Sequence, residues 1–365
     1  MEPMIPRIRK PVEREGAERY LLFTLLSFGL SVSLTRLFLG LTGYPQLGGG
    51  TLHIAHLLWG GLLLFIAALL PILYANRWIY VVSSILSGAG VGLFIDEVGK
   101  FITRTNDYFY PPAAPIIYAF FLLTVLLYVE IRRPHRADDR SQMYAVLEDL
   151  EEVLDRDLSD QERARILDRL NRIQTRSEYP DFASLVQHLR DFITSDTIYL
   201  VPHRPGIIER GQKLYSQIEA RLIHRNDLRI FLAILLTLMG AWSLRYPLLV
   251  VFGAFSYSSM PLIITELVQS GLVHSQAAII WFEVRLGLQA AIGLIFLIAA
   301  VLYFAGLDRR ATGLSYLGLL ASLTSVNLLV FYFDQFTTII SAALQFLILV
   351  VVVYYRRRFL ANRLL

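Results

Sequence analysis

Runs of about 20 apolar residues recur along this chain, and they constrain its fold more than any other feature. An α-helix rises about 1.5 Å per residue, so a run of that length crosses the roughly 30 Å of hydrocarbon in a bilayer. Such runs lie at roughly 20–40, 52–74, 78–97, 113–131, 228–246, 277–305, 313–333 and 336–355. They predict an all-α, polytopic transmembrane helical bundle with eight spans. A membrane β-barrel would show segments of about ten residues with alternating polarity instead. No cysteine is present, which excludes disulfides and cysteine-ligated zinc. The first run, Tyr20–Gly40, is too long for the apolar core of a cleaved signal and reads as a span.

Arginine and lysine flank the runs unevenly. One side would hold Arg7, Arg9, Lys10, Arg14 and Arg19, then Arg77, Arg132, Arg133, Arg309, Arg310 and Arg356–Arg358. The other would hold only Lys100, Arg104 and Arg245. The positive-inside rule predicts that both termini are cytoplasmic, in the cell's inner (plasma) membrane. The expected layout is a tail over 1–19, spans one to four over 20–131, a cytoplasmic helical domain over 132–227, spans five to eight over 228–355 and a tail over 356–365. Residues 247–275, broken by Pro247, Gly253 and Pro261, are expected to form an external re-entrant or interfacial segment.

The inserted domain carries helical signals. Ser159 with Glu162 three residues on is a capping box. Ala164, Ile166, Leu167, Leu170 and Ile173 then recur at helical spacing. A second helix is expected after Pro180, with Phe182, Leu185, Val186, Leu189, Phe192 and Ile193 on its apolar face, and a third near 207–224. The near balance of charges argues against nucleic acid as a partner. No nucleotide-binding or kinase signature appears. A bundle of this kind suits contact with a second copy of the chain or with a cytoplasmic protein.

Chemistry is concentrated in two stretches. VGLFIDEVGKF, residues 91–101, ends the third run in Asp96, Glu97 and Lys100. TLHIAHLLWGG, residues 51–61, opens the second run with His53 and His56. The predicted topology places all of these near the outer interface. Ser84, Gly88, Gly92 and Asp96 form one helical stripe, and His53, His56 and Gly60 form another. Small residues at that spacing allow close helix approach, so the two stripes are expected to meet. His53, His56 and Asp96 can then hold a divalent metal such as zinc, iron or manganese, with Glu97 as general base and Lys100 steadying an anionic transition state. The same groups equally suit a proton-sensitive site, or a structural knot between helices. Arg36, Arg245, Glu283 and Arg285 are candidates for holding a polar or anionic ligand, such as a lipid headgroup, in an outward-facing vestibule. The inner halves of the spans offer Ser83, Ser84, Ser322, Thr324 and Ser325 and little charge, which counts against transport.

HIAHLLWGG, followed by GVGLFIDEVGKF and NDYFYPP, resembles a class of bacterial polytopic membrane proteins with a His-x-x-His helix start and a glycine-rich helix ending in Asp-Glu. The resemblance covers roughly residues 50–120. It implies that His53, His56, Asp96 and Glu97 act as a unit, and it carries no activity. FIDEVGKF and YFDQF, near the ends of the third and seventh runs, suggest a four-plus-four duplication. Three functions follow as expectations: an inner-membrane protein binding a metal, polar ligand or lipid headgroup at its outer side; a membrane-embedded metal-dependent hydrolase; and a proton- or ion-coupled transporter.

Overall fold

In a bilayer every backbone N–H and C=O must find a partner within the protein, and helices meet that demand segment by segment. The computed structural model describes residues 11–43, 55–108, 110–132, 138–176, 180–202, 224–255, 276–334 and 338–360. Among the described residues it is helical with no β-strand, only an isolated bridge between Ser159 and Val201. The helices are α1 (Ala17–Thr42), α2 (His56–Leu73), α3 (Arg77–Asp96), α4 (Val98–Ile102), α5 (Ala113–Ile131), α6 (Asp139–Asp149), α7 (Glu151–Leu154), α8 (Asp160–Arg176), α9 (Pro180–Thr194), α10 (Arg225–Phe255), α11 (Gln276–Phe304), α12 (Asp308–Ala321), α13 (Asn327–Asp334) and α14 (Ile339–Tyr355). A π turn, Ser322–Val326, joins α12 to α13 into one rod, and a second π turn, Arg356–Leu360, ends α14.

Among the described residues, eight helices are long and apolar enough to cross a membrane, with mean hydropathy from 1.6 to 2.3 over their most apolar windows. They fall on the eight expected runs. Large apolar side chains on them stay exposed, such as Leu41 and Ile340, which suits lipid contact. One boundary differs from expectation. The segment expected to leave the helix at Pro247 remains helical to Phe255, and the following helix begins at Gln276. Proline costs an internal hydrogen bond, but membrane helices tolerate it. Residues 256–275 and the expected helix near 207–224 lie outside the described residues.

The chain forms two compact units: Met1–Ser27, Leu63–Gly88 and Thr124–Leu214 in the first, Phe28–Leu62, Ala89–Leu123 and Tyr215–Leu365 in the second. In the first, α6, α8 and α9 enclose an apolar core of Met143, Val146, Ile166, Leu170, Ile173, Val186 and Ile193. The expected faces are largely right, but Ala164, Leu185 and Phe192 point outward. The capping box forms: the Ser159 N–H donates to Glu162 at 3.0 Å and the Glu162 N–H to Ser159 Oγ at 3.4 Å. We expect Ser159→Ala to destabilise α8 by about 1 kcal/mol, read as faster hydrogen exchange of the amides in its first two turns. A charge cluster adjoins this core. Asp149 accepts from Arg169 at 2.8 Å and from Arg77 at 3.0 Å, and Arg169 also grips Glu15. Burial pushes the Asp149 carboxyl up while Arg169 beside it pulls the other way, and the Glu15 hydrogen bond raises Arg169. In the same unit the α3 glycine stripe begins, with Gly88 set against Thr24 and Ser27 of α1.

In the second unit, α10, α11, α12 and α14 share a core that includes Leu236, Phe296, Tyr303, Leu319, Ile348 and Tyr355. Gly240 and Gly293 let α10 and α11 approach closely: a Cβ on Gly240 would lie 3.0 Å from the Gly293 carbonyl. Small residues at a membrane helix contact serve this purpose.

Candidate functional site

The charged residues at the end of α3 are gathered, in the second unit, by three separate elements. α1 runs beside α3 because Gly92 presents no side chain: a Cβ there would sit 2.8 Å from Ser31 Cβ and 3.0 Å from the Phe28 carbonyl. The Ser31 hydroxyl donates to the Ala89 carbonyl at 3.0 Å. That register carries Arg36, further along α1, to Asp96. α2 approaches α3 elsewhere on its surface, where Gly60 packs on the backbone of Gly90 and Phe94. The glycine stripe of α3 therefore faces α1, where the sequence predicted α2, and Gly60 of α2 meets a neighbouring line of α3. His56, one turn before Gly60, still arrives beside Asp96.

Asp96 is wholly buried and accepts from all sides. The Arg36 Nε–H donates to Oδ1, and a second Arg36 N–H donates to the Asp96 carbonyl at 2.9 Å. The His56 Nε2 lies 2.9 Å from Oδ2, and the Tyr108 hydroxyl donates to the same oxygen at 2.8 Å. The Tyr108 ring lies beneath the Arg36 guanidinium, 4.3 Å from its centroid, and 5.2 Å from the Lys100 ammonium. Arg36 is itself 7% exposed.

Glu97 breaks the helix. With φ −92° and ψ 9° it stands between α3 and α4 in the bridge region of backbone space, a conformation frequent in active sites. On a continuous helix its side chain would point about 100° away from that of Asp96. The break turns both carboxylates toward one imidazole. His56 Nδ1 lies 2.9 Å from Glu97 Oε1, and the Lys100 ammonium lies 3.6 Å from the same oxygen. Both are ion-pair contacts rather than aligned hydrogen bonds. Glu97 is wholly buried, and its Oε2 has no hydrogen-bond partner among the described residues.

Chemically, each imidazole nitrogen faces a different carboxylate. A neutral imidazole has one N–H and one lone pair, so it can serve only one of these carboxylates as a donor, whereas an imidazolium offers an N–H on each side. A further proton, on the ring or on a carboxyl, would let both contacts be donor to acceptor. The arrangement can thus take up a proton between two buried carboxylates, whose charges Arg36 and Lys100 already offset.

The structure brings together Arg36, His56, Asp96, Glu97 and Lys100. His53 lies outside the described residues. Among the described residues no group of three or more His, Cys, Asp or Glu side chains is placed to hold a metal ion. Asp96, the expected metal ligand, is already bound to Arg36, His56 and Tyr108. The contacts of the remaining candidates are with other residues. Arg285 is buried and pairs with Asp334. Arg245 lies over the rings of Trp242 and Tyr246, at 3.6 and 4.4 Å. Glu283 is exposed. Sequence reasoning missed Tyr108 as a member of the cluster. Its signal was available: an aromatic phenol within one loop of an acidic pair, in NDYFYPP.

No family model matches the chain, and neither the curated proteins nor the solved structures offer a match.

Proposed function

We propose that this chain is a proton-coupled multi-pass membrane protein of the transport class, with the His56–Asp96–Glu97 triad as its proton-binding site. One observation carries the reading: both ring nitrogens of His56 lie 2.9 Å from carboxylate oxygens of two different residues. The hydrolase reading fits less well. A hydrolytic carboxylate must reach water and substrate, whereas both Asp96 and Glu97 are wholly buried.

The orientation belongs to the same proposal. Positive flanks favour cytoplasmic termini, a cytoplasmic domain between the fourth and fifth spans, and the triad at the outer side of the bacterial inner membrane. The four-plus-four duplication has weaker support. Asp96 and Asp334 each end a span and pair with an arginine, but Arg36 comes from the first span and Arg285 from the sixth.

The test is a proton count on purified protein, titrated between about pH 5 and pH 10, wild type beside His56→Gln. We expect the wild type to exchange about one more proton than the variant over that range. Equal counts would mean that the triad is locked in one state, and the coupling role would fall. Bound zinc, iron or manganese that disappears in His56→Gln would replace the proton reading with the metal one.

A further inference from the structure

Among the described residues, most of the buried polar side chains on the spans are not members of the triad cluster, and they are not scattered. Asp308, Thr312, Ser315, Ser322 and Asn327 are all at most 4% exposed, and all belong to the rod formed by α12, the π turn and α13. The first four follow helical spacing. Asn327 comes five residues after Ser322, which on an α-helix would turn it about 140° away. The π turn between them bonds at i to i+5, so it returns Asn327, and Asp334 seven residues on, to the same face. Asp308 and Asp334 then stand about 39 Å apart along the rod, more than a hydrocarbon thickness.

Side chains from neighbouring helices extend this line. At one end Asp308 receives Arg225 and the Tyr355 hydroxyl, the latter at 2.8 Å. Next, the Tyr303 and Thr312 hydroxyls meet at 2.9 Å. In the middle, Gln345 Oε1 accepts from Ser322 at 3.1 Å and from Asn327 at 3.0 Å, and the Tyr118 hydroxyl donates to the Leu323 carbonyl at 2.6 Å. At the far end Arg285 pairs with Asp334. α11 runs antiparallel to the rod, since Arg285 meets Asp334 while Ile295 packs on Gly318. Gln289 therefore lies about 6 Å inward of Arg285, between the levels of Asp334 and Asn327. The line is broken once. Between Ser315 and Ser322, Gly318 is packed against Ile295 and Phe296, and Leu319 is fully buried.

Helix association alone does not account for this column. Asp308 Oδ1, Gln289 Oε1 and Arg285 Nε are buried and have no hydrogen-bond partner among the described residues. In hydrocarbon such groups are costly unless something supplies the missing bond, and hydroxyls and amides spaced along a buried line are the groups that hold relay waters. We infer that the rod of α12 and α13, with α11 and α14, encloses a gated route for protons across the membrane, with Asp308 at one mouth, the Arg285–Asp334 pair at the other and a plug at Leu319. The route uses no residue of the triad and stands without it.

The test is proton entry into liposomes carrying the full chain and a trapped pH dye, driven by a potassium gradient with valinomycin. Opening the plug with Leu319→Ser is expected to raise the flux about tenfold over wild type. Adding Asn327→Leu should return it to the wild-type level, while adding His56→Gln should not. Leu319→Ala tests the same direction with a smaller change should the serine variant not fold. Flux in both plug variants equal to that of empty vesicles, with normal elution on size exclusion, would overturn the route. So would a leak that Asn327→Leu leaves unchanged, or one that follows a sodium gradient in place of protons.

Discussion

Asp96→Ala is expected to lower the unfolding free energy by about 3–5 kcal/mol, the cost of removing the carboxylate from a buried ion pair. Arg36 is the group most affected: it loses the carboxylate and keeps its bond to the residue-96 carbonyl. Its guanidinium is almost fully enclosed, and two of its hydrogen bonds end on Asp96, one on the carboxylate and one on the carbonyl. His56 suffers less, because Glu97 still faces its other nitrogen. The loss should appear as a large drop in the thermal midpoint in detergent. Pairing the change with Arg36→Met supplies the decisive comparison. Replacing a whole buried ion pair by apolar groups is often neutral, so the double variant should recover much of the loss. If Asp96→Ala alone stays within about 1 kcal/mol of wild type, Arg36 reaches another partner and the cluster is looser than described.

The spans were legible because hydropathy over about 20 residues is a strong signal and lipid permits few alternatives. The union of His56 with Asp96 and Glu97 was legible because topology placed them at one depth. The route by which they meet was not. Glycine stripes show that a helix can be approached, not by which neighbour, and α1 took the stripe expected to face α2. Pro247 reads as a breaker from soluble-protein habit, yet α10 continues through it. The polar column was hidden for a more specific reason. Ser322, Thr324 and Ser325 are alike in sequence, but Thr324 and Ser325 face outward and Ser322 is buried. Asn327 joins Ser322 only because a π turn adds one residue to the repeat, and periodicity at 3.6 cannot register that insertion.

Two adjacent glycines on α2 should behave in opposite ways. A Cβ built on Gly60 would lie 2.7 Å from the Phe94 nitrogen and 2.8 Å from the Gly90 carbonyl oxygen, both backbone atoms of α3. Backbone within a helix cannot yield as a side-chain tip can, so α2 itself must move. A Cβ on Gly61 would meet nothing within 4 Å. Gly60→Val is therefore expected to cost about 3 kcal/mol, the upper part of the range for overpacking, and Gly61→Val to stay within about 0.5 kcal/mol of wild type. The two share composition, helix position and change in propensity, so their difference isolates the contact with α3. It also reaches the triad, because His56 stands one turn from Gly60 and must keep both its contacts at 2.9 Å. Moving α2 outward opens these first, so Gly60→Val should lose the same proton from the titration count that His56→Gln loses, while Gly61→Val keeps it. Equal stability and equal proton counts in the two variants would mean that α2 does not approach α3 through Gly60, and the geometry that makes His56 a bridge between two carboxylates would go with it.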